Sequence, residues 1–145
     1  GYGITNGPAM SPDGRTLYHN STLEKIVYAF DHKDGVGSNK RVFATIAEGH
    51  CDGPSVDSAG VVHVGLFGGW GVDRYAPDGR RLDKIRFPCS AVTKAAFGDA
   101  DFKGLYCTTA WKGQDAGTRR TQPFAGALFR VPVDTPGLPQ NLIKL

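Results

Sequence analysis

A chain of 145 residues that is 40% hydrophobic and 21% charged can bury one core of ordinary size and is too apolar for a disordered segment. Its 17 Lys and Arg against 14 Asp and Glu leave a net charge of only +3, scattered along the chain, which argues against a nucleic-acid surface. No stretch approaches the length of a membrane-spanning helix and no leader is legible, so no membrane is expected, although the chain opens at Gly1 without Met and leaves an upstream segment open.

Twenty glycines and nine prolines separate short runs of aromatic and β-branched residues, the composition of an all-β protein with many tight turns. A first strand is expected around Ile4 to Ala9, followed by a turn at Ser11-Pro12-Asp13-Gly14. Thr16 to Asn20 alternates as a second strand, and Lys25 to Phe30 as a third with Ile26, Tyr28 and Phe30 on one face. Asp31 to Asn39 reads as a loop or wide hairpin before a fourth strand at Lys40 to Ala44. The same course is then repeated: Pro54 to Val56, a turn at Asp57 to Gly60, Val61 to Phe67, a Gly68-Gly69 break, Trp70 to Tyr75, a turn at Ala76 to Gly79, and Arg81 to Phe87. A third unit starts with Val92 to Phe97, turns through Gly98 to Gly104, and continues through Leu105 to Ala110. A polar excursion from Lys112 to Pro123 leads to a last strand at Gly126 to Val131 and an irregular tail from Val133.

Asn6-Gly7-Pro8 and Asp52-Gly53-Pro54 open the first two units, and the separation is 46 residues both from Asn6 to Asp52 and from Gly14 to Gly60. Gly104 follows Gly60 at 44 residues, within the range of one four-stranded blade. The expected fold is therefore β-propeller blades: about three four-stranded antiparallel blades in a single partial domain over 1–145, divided near 1–46, 47–91 and 92–145. Three blades would leave open edges and apolar faces, so either further blades belong to the polypeptide or copies assemble as a homo-oligomer.

Asn6 and Asp52 occupy equivalent places before the first strand of successive blades, and such places face a common axis. An amide and a carboxylate oxygen converging there are hard ligands for Ca²⁺, Mg²⁺ or Mn²⁺. Asn-Gly and Asp-Gly are also among the commonest turn dipeptides and need no function there, and both readings stay open on sequence alone. The third unit places small or basic residues, Thr93 to Ala96, in the matching region and is expected to add no ligand. Trp70 could stack on a sugar-like substrate at the channel mouth or pack between blades. His19, His32, His50 and His63 share no metal spacing, though His50 could border a site beside Asp52. Cys51, Cys89 and Cys107 follow no CxxC spacing, Cys51 lacks a partner base, and the three together suggest a reducing, cytoplasmic compartment.

In order along nearly the whole chain, Thr5-Asn6-Gly7-Pro8-Ala9, Ser11 to Tyr18, Tyr28 to Asp31, Asn39 to Phe43, Asp52-Gly53, Gly68-Gly69-Trp70, Arg74 to Arg80, Val92 to Gly98 and Leu105 to Ala110 resemble the gluconolactonase, regucalcin and senescence marker protein family of six-bladed propellers. The resemblance covers only the family's C-terminal half. It implies metal-dependent hydrolysis of a sugar lactone around one divalent cation, Ca²⁺ preferred with Zn²⁺, Mg²⁺ or Mn²⁺ as alternatives. Asn6 and Asp52 match two of the family's ligands, and Asp52, or a water on the metal, would act as general base. Cys51 stands where the family usually has Pro. The family's Glu ligand belongs to the N-terminal half, and neither Glu24 nor Glu48 stands in for it. The alternative is a non-catalytic half-propeller that binds a divalent metal or self-assembles as an interaction module.

Overall fold

Each blade arises from short alternating runs that can bury one face and from turn residues that accept the φ angles a tight reversal needs. The structure, a computed structural model, describes residues 3–139. The first blade is the antiparallel sheet β1 (Thr5–Met10), β2 (Thr16–Ser21), β3 (Ile26–Lys33) and β4 (Val36–Thr45), paired in that order. The second is β5 (His50–Val56), β6 (Val62–Phe67), β7 (Gly71–Tyr75) and β8 (Arg81–Arg86), again paired in order. The third pairs β9 (Val92–Gly98), β10 (Gly104–Thr109) and, after α1 (Ala116–Thr121), β11 (Leu128–Pro132), so three strands form it among the described residues.

The turn chemistry follows the sequence at Gly14, Gly60 and Gly79, where positive φ angles of 69°, 82° and 86° accompany bonds back to Ser11, Asp57 and Ala76. Two expectations need correction. Asp31 to Asn39 is a hairpin but neither a loop nor a wide one, because Asp34 and Gly35 both take positive φ and close β3 on β4 with a two-residue reversal. Gly104 is no turn glycine: it opens β10 outside the left-handed region, while Asp99 and Phe102 carry the positive φ angles of that connection. The polar excursion holds α1, capped by Asp115 Oδ1 on the Thr118 amide at 2.7 Å, with no buried residue.

Two apolar layers lie between the blades. Tyr18, Val27, Ala29 and Ala44 of the first sheet pack on Cys51, Val64, Leu66 and Tyr75 of the second, with Phe43 bridging Tyr18 and Tyr75 at ring distances of 4.8 and 6.3 Å. Val72, Phe87, Val92, Ala95, Leu105 and Cys107 form the layer between the second and third. Each fully buried Leu or Val contributes roughly 1.5–3 kcal/mol relative to exposure. In β3 the small residues Val27 and Ala29 enter the core, whereas Ile26, Tyr28 and Phe30 lie half-buried on the other face. Among the described residues no helix is long and apolar enough to cross a membrane.

The three cysteines are free and buried. Burial pushes the thiol of Cys51 up to about 11 and that of Cys107 to about 12, and raises that of Cys89. Since only thiolates alkylate, none should react with iodoacetamide at pH 8 in the folded chain and all should react in denaturant, as intact mass spectrometry would register.

Candidate active site on the inner strands

The innermost strands of the blades are β1, β5 and β9. β1 packs beside β5, with Gly7 bringing its backbone toward Pro54, since a Cβ there would stand 3.5 Å from Pro54 Cγ. β5 and β9 meet in parallel through Gly53 and Lys94, and this pairing joins the second and third blades into one continuous sheet. A side chain on Gly53 would collide with the Lys94 stem and stand 3.1 Å from the Thr93 carbonyl oxygen. Gly53 is therefore a close-approach glycine inside a strand, and Asp52-Gly53 is not a turn. Asn6-Gly7 likewise lies inside β1, where the pairing with β2 shifts register between Asn6 and Ala9. The two dipeptides share a position in their blades, and neither is spent on reversing the chain.

Asn6 is half-buried and donates its Nδ2 to Thr22 Oγ1 at 2.9 Å. The Thr22 carbonyl oxygen lies 3.2 Å from His50 Nδ1, so one short connection after β2 ties Asn6 to the strand that carries Asp52. Asn20, the cross-strand partner of Asn6, is fully buried and donates its Nδ2 to the main-chain oxygen of Asp52. Asn6 and Asp52 are thus positioned by a shared set of polar groups from β2 and its following turn. Asn20, Thr22 and Lys94 are the site residues that sequence reasoning missed; their partners lie 16 to 40 positions away, and no local pattern announces them.

Burial raises the pKa of Asp52 above the ordinary carboxylate range, opposed by the Gly53 amide and by the charge of Lys94. Lys94 is exposed along part of its length, yet the protein crowding its ammonium lowers its pKa, with Asp52 acting in the opposite sense. Its Nζ donates to the Pro54 carbonyl oxygen. Cys51, next to Asp52, points into the core with its Sγ 3.4 Å from the Ser21 carbonyl oxygen, which is packing and not nucleophilic activation.

Trp70 occupies the β6–β7 connection with φ at 59° and is 44% exposed. Phe67, at the end of β6, pairs with His50 at the start of β5, so Trp70 sits beyond the end of the second blade nearest Asp52. Its amide donates to the Ser90 carbonyl oxygen at 3.1 Å, which holds the backbone and leaves the indole in solvent. The structure brings Asn6 and Asp52 to neighbouring inner strands and leaves Trp70 on a connection outside them.

The chemistry of the donor set suits a divalent cation. Asn6 commits its amide nitrogen to Thr22, which leaves the amide oxygen as its coordinating end. The Asp52 carboxylate enters no salt bridge among the described residues, and burial disfavours its charge without a cation. These two oxygens fit a hard cation. Among the described residues no group of three His, Cys, Asp or Glu converges, so the pair by itself supplies part of a shell.

Comparison with known proteins decides the kinship. The model of the SMP-30/Gluconolactonase/LRE-like region matches residues 1–111. The chain belongs to that family. Members of the SMP-30/gluconolactonase family similar to it include a 6-deoxy-6-sulfogluconolactonase from Pseudomonas putida, 34% identical over 96% of this chain and 49% of the relative. A pentonolactonase from Haloferax volcanii is 36% identical over 97% and 51%, and the regucalcin of Danio rerio 36% identical over 88% and 45%. The chain spans about half the length of these curated relatives. Among solved structures, a regucalcin from Agrobacterium tumefaciens described as a calcium-binding protein superposes with a TM-score of 0.93 at 27% identity, over 99% of this chain and 50% of that one. The family includes sugar lactonases and regucalcins, and its propeller fold is the one observed here.

Proposed function

We propose that this chain supplies the Asn6 and Asp52 side of a sugar-lactone hydrolase site that holds one divalent cation. The observation that carries the proposal is the conversion of two apparent turn dipeptides into equivalent inner-strand positions tied together by Asn20 and Thr22. The sugar-lactonase relatives support the substrate class.

Asn6 and Asp52 would hold the cation, which when bound would polarise the lactone carbonyl. Asp52 takes a proton from the water that attacks the carbonyl carbon, and its half-burial keeps that carboxylate out of bulk solvent. The acyl–oxygen bond then breaks, and the proton held by Asp52 passes to the ring oxygen, which leaves as the hydroxyl of the open-chain acid. Asn20 fixes the backbone beneath Asp52, which limits the positions the carboxylate can take.

Hydrolysis of D-glucono-1,5-lactone above its spontaneous rate, in the full-length protein, lost with a chelator and restored by Ca²⁺ or Mn²⁺, is the expected result; a rate indifferent to chelation would reject the metal-dependent reading. Asn6→Ala should weaken the cation on the order of tenfold or more in calorimetric titration, since loss of a ligand exceeds the effect of outer groups.

A second reading, an assembly module without turnover, is favoured by the outward face of the first blade. There Tyr28, half-buried, aligns with His19 and with Val42, which is 58% exposed. Light scattering that returned a stable dimer lacking lactonase activity would favour it.

A further inference from the structure

Along β1 and β5 lies a half-open pocket of about 730 Å³ lined by Pro8, Met10, Pro12, Pro54, Ser55 and Lys94, which begins two residues past Asp52 on β5 and is within the range of small-molecule sites. Lys94 supplies its cation. Arg41, Arg74, Arg81, Lys84 and Arg130 are engaged by carboxylates, whereas Lys94 forms no such ion pair among the described residues. An ammonium has three donors, and the Pro54 carbonyl oxygen takes one. Gly53 leaves room for the Lys94 stem to cross β5, so the close approach of the strands and the placement of this charge are one feature.

Ring opening of a lactone changes the charge of the ligand. The lactone is neutral; water adds at the carbonyl carbon, the acyl–oxygen bond breaks, the ring oxygen gains a proton, and the acid formed loses one to solvent at neutral pH. An aldonate therefore carries a carboxylate that its parent lactone lacks, and a fixed ammonium discriminates between the two through charge-assisted hydrogen bonds.

We propose that Lys94 binds the carboxylate of the aldonate product and so sets the affinity for product relative to substrate. This rests on the lactonase reading above for the identity of the ligand. The group is a specificity residue at the cavity wall, acting on bound product.

The test compares Lys94→Met and Lys94→Arg with the wild type in the full-length protein, using D-gluconate as the probe. In Lys94→Met the inhibition constant for gluconate should rise about tenfold or more while KM for the gluconolactone moves much less, and Lys94→Arg should recover most of the gluconate affinity. Calorimetric titration with gluconate reads the same loss without turnover, and thermal melting checks that the variants fold. Inhibition constant and KM rising together, or neither changing, would overturn the proposal, as would a wild type that binds no gluconate. Lys94-dependent gluconate binding in a protein without lactonase activity would uphold the anion site and reject the hydrolase reading alone.

Discussion

Asp52→Asn is expected to lower kcat/KM for aldonolactone hydrolysis by about 10²–10⁴-fold, the range for loss of a positioned general base. The substitution keeps the side-chain shape and leaves the main-chain oxygen that Asn20 holds. It also keeps Gly53 opposite Lys94, so the junction of the second and third blades is undisturbed. Because burial already raises the pKa of Asp52, a neutral isostere removes a charge that is costly to keep there, and stability should not fall. An unchanged melting temperature with a lost rate is the expected pair of readings. Unchanged kcat/KM would remove Asp52 from the chemistry.

The second large effect concerns two dipeptides that look alike in the sequence. Gly14 follows Asp13 in a turn, at φ 69° with nothing within 4 Å of a built Cβ, so it answers to conformation alone. Gly53 follows Asp52 in a strand and answers to space. Gly14→Asn should therefore cost little, since Asn tolerates the left-handed region. Gly53→Asn should destabilise by about 1–3 kcal/mol, as an overpacked site does, because the strands must separate or the Lys94 stem must leave. Urea denaturation of both variants in parallel reads the difference; equal, small costs would mean that β5 and β9 do not approach as described.

That pair also marks how far the sequence could be read. The strands and the turns at Gly14, Gly60 and Gly79 were legible because alternation and positive-φ glycines are local signals. The propeller followed from the 46-residue recurrence of Asn6 at Asp52 and of Gly14 at Gly60. The meaning of Asn6-Gly7 and Asp52-Gly53 was not, since the same dipeptides serve turns and strand interiors, and only pairing with β2 and β9 separates the two uses. Asp34-Gly35 shows the reverse error, a tight two-residue hairpin that reads as a loop or a wide hairpin among the charges and glycines around it. Helix α1 buries nothing, so no apolar period could announce it. Lys94 differs in type from Asn6 and Asp52 and so stands out in no repeat; its role depends on Pro54, 40 positions away, whose carbonyl it reaches only after the blades have packed.

The placement of a cation between β1 and β5 is open to direct observation. Anomalous diffraction from crystals of the full-length protein soaked in Mn²⁺ should give one strong peak within roughly 2.0–2.6 Å of both Asn6 Oδ1 and an Asp52 carboxylate oxygen. A Mn²⁺ peak elsewhere, with these two side chains uncoordinated at saturating metal, would contradict the site.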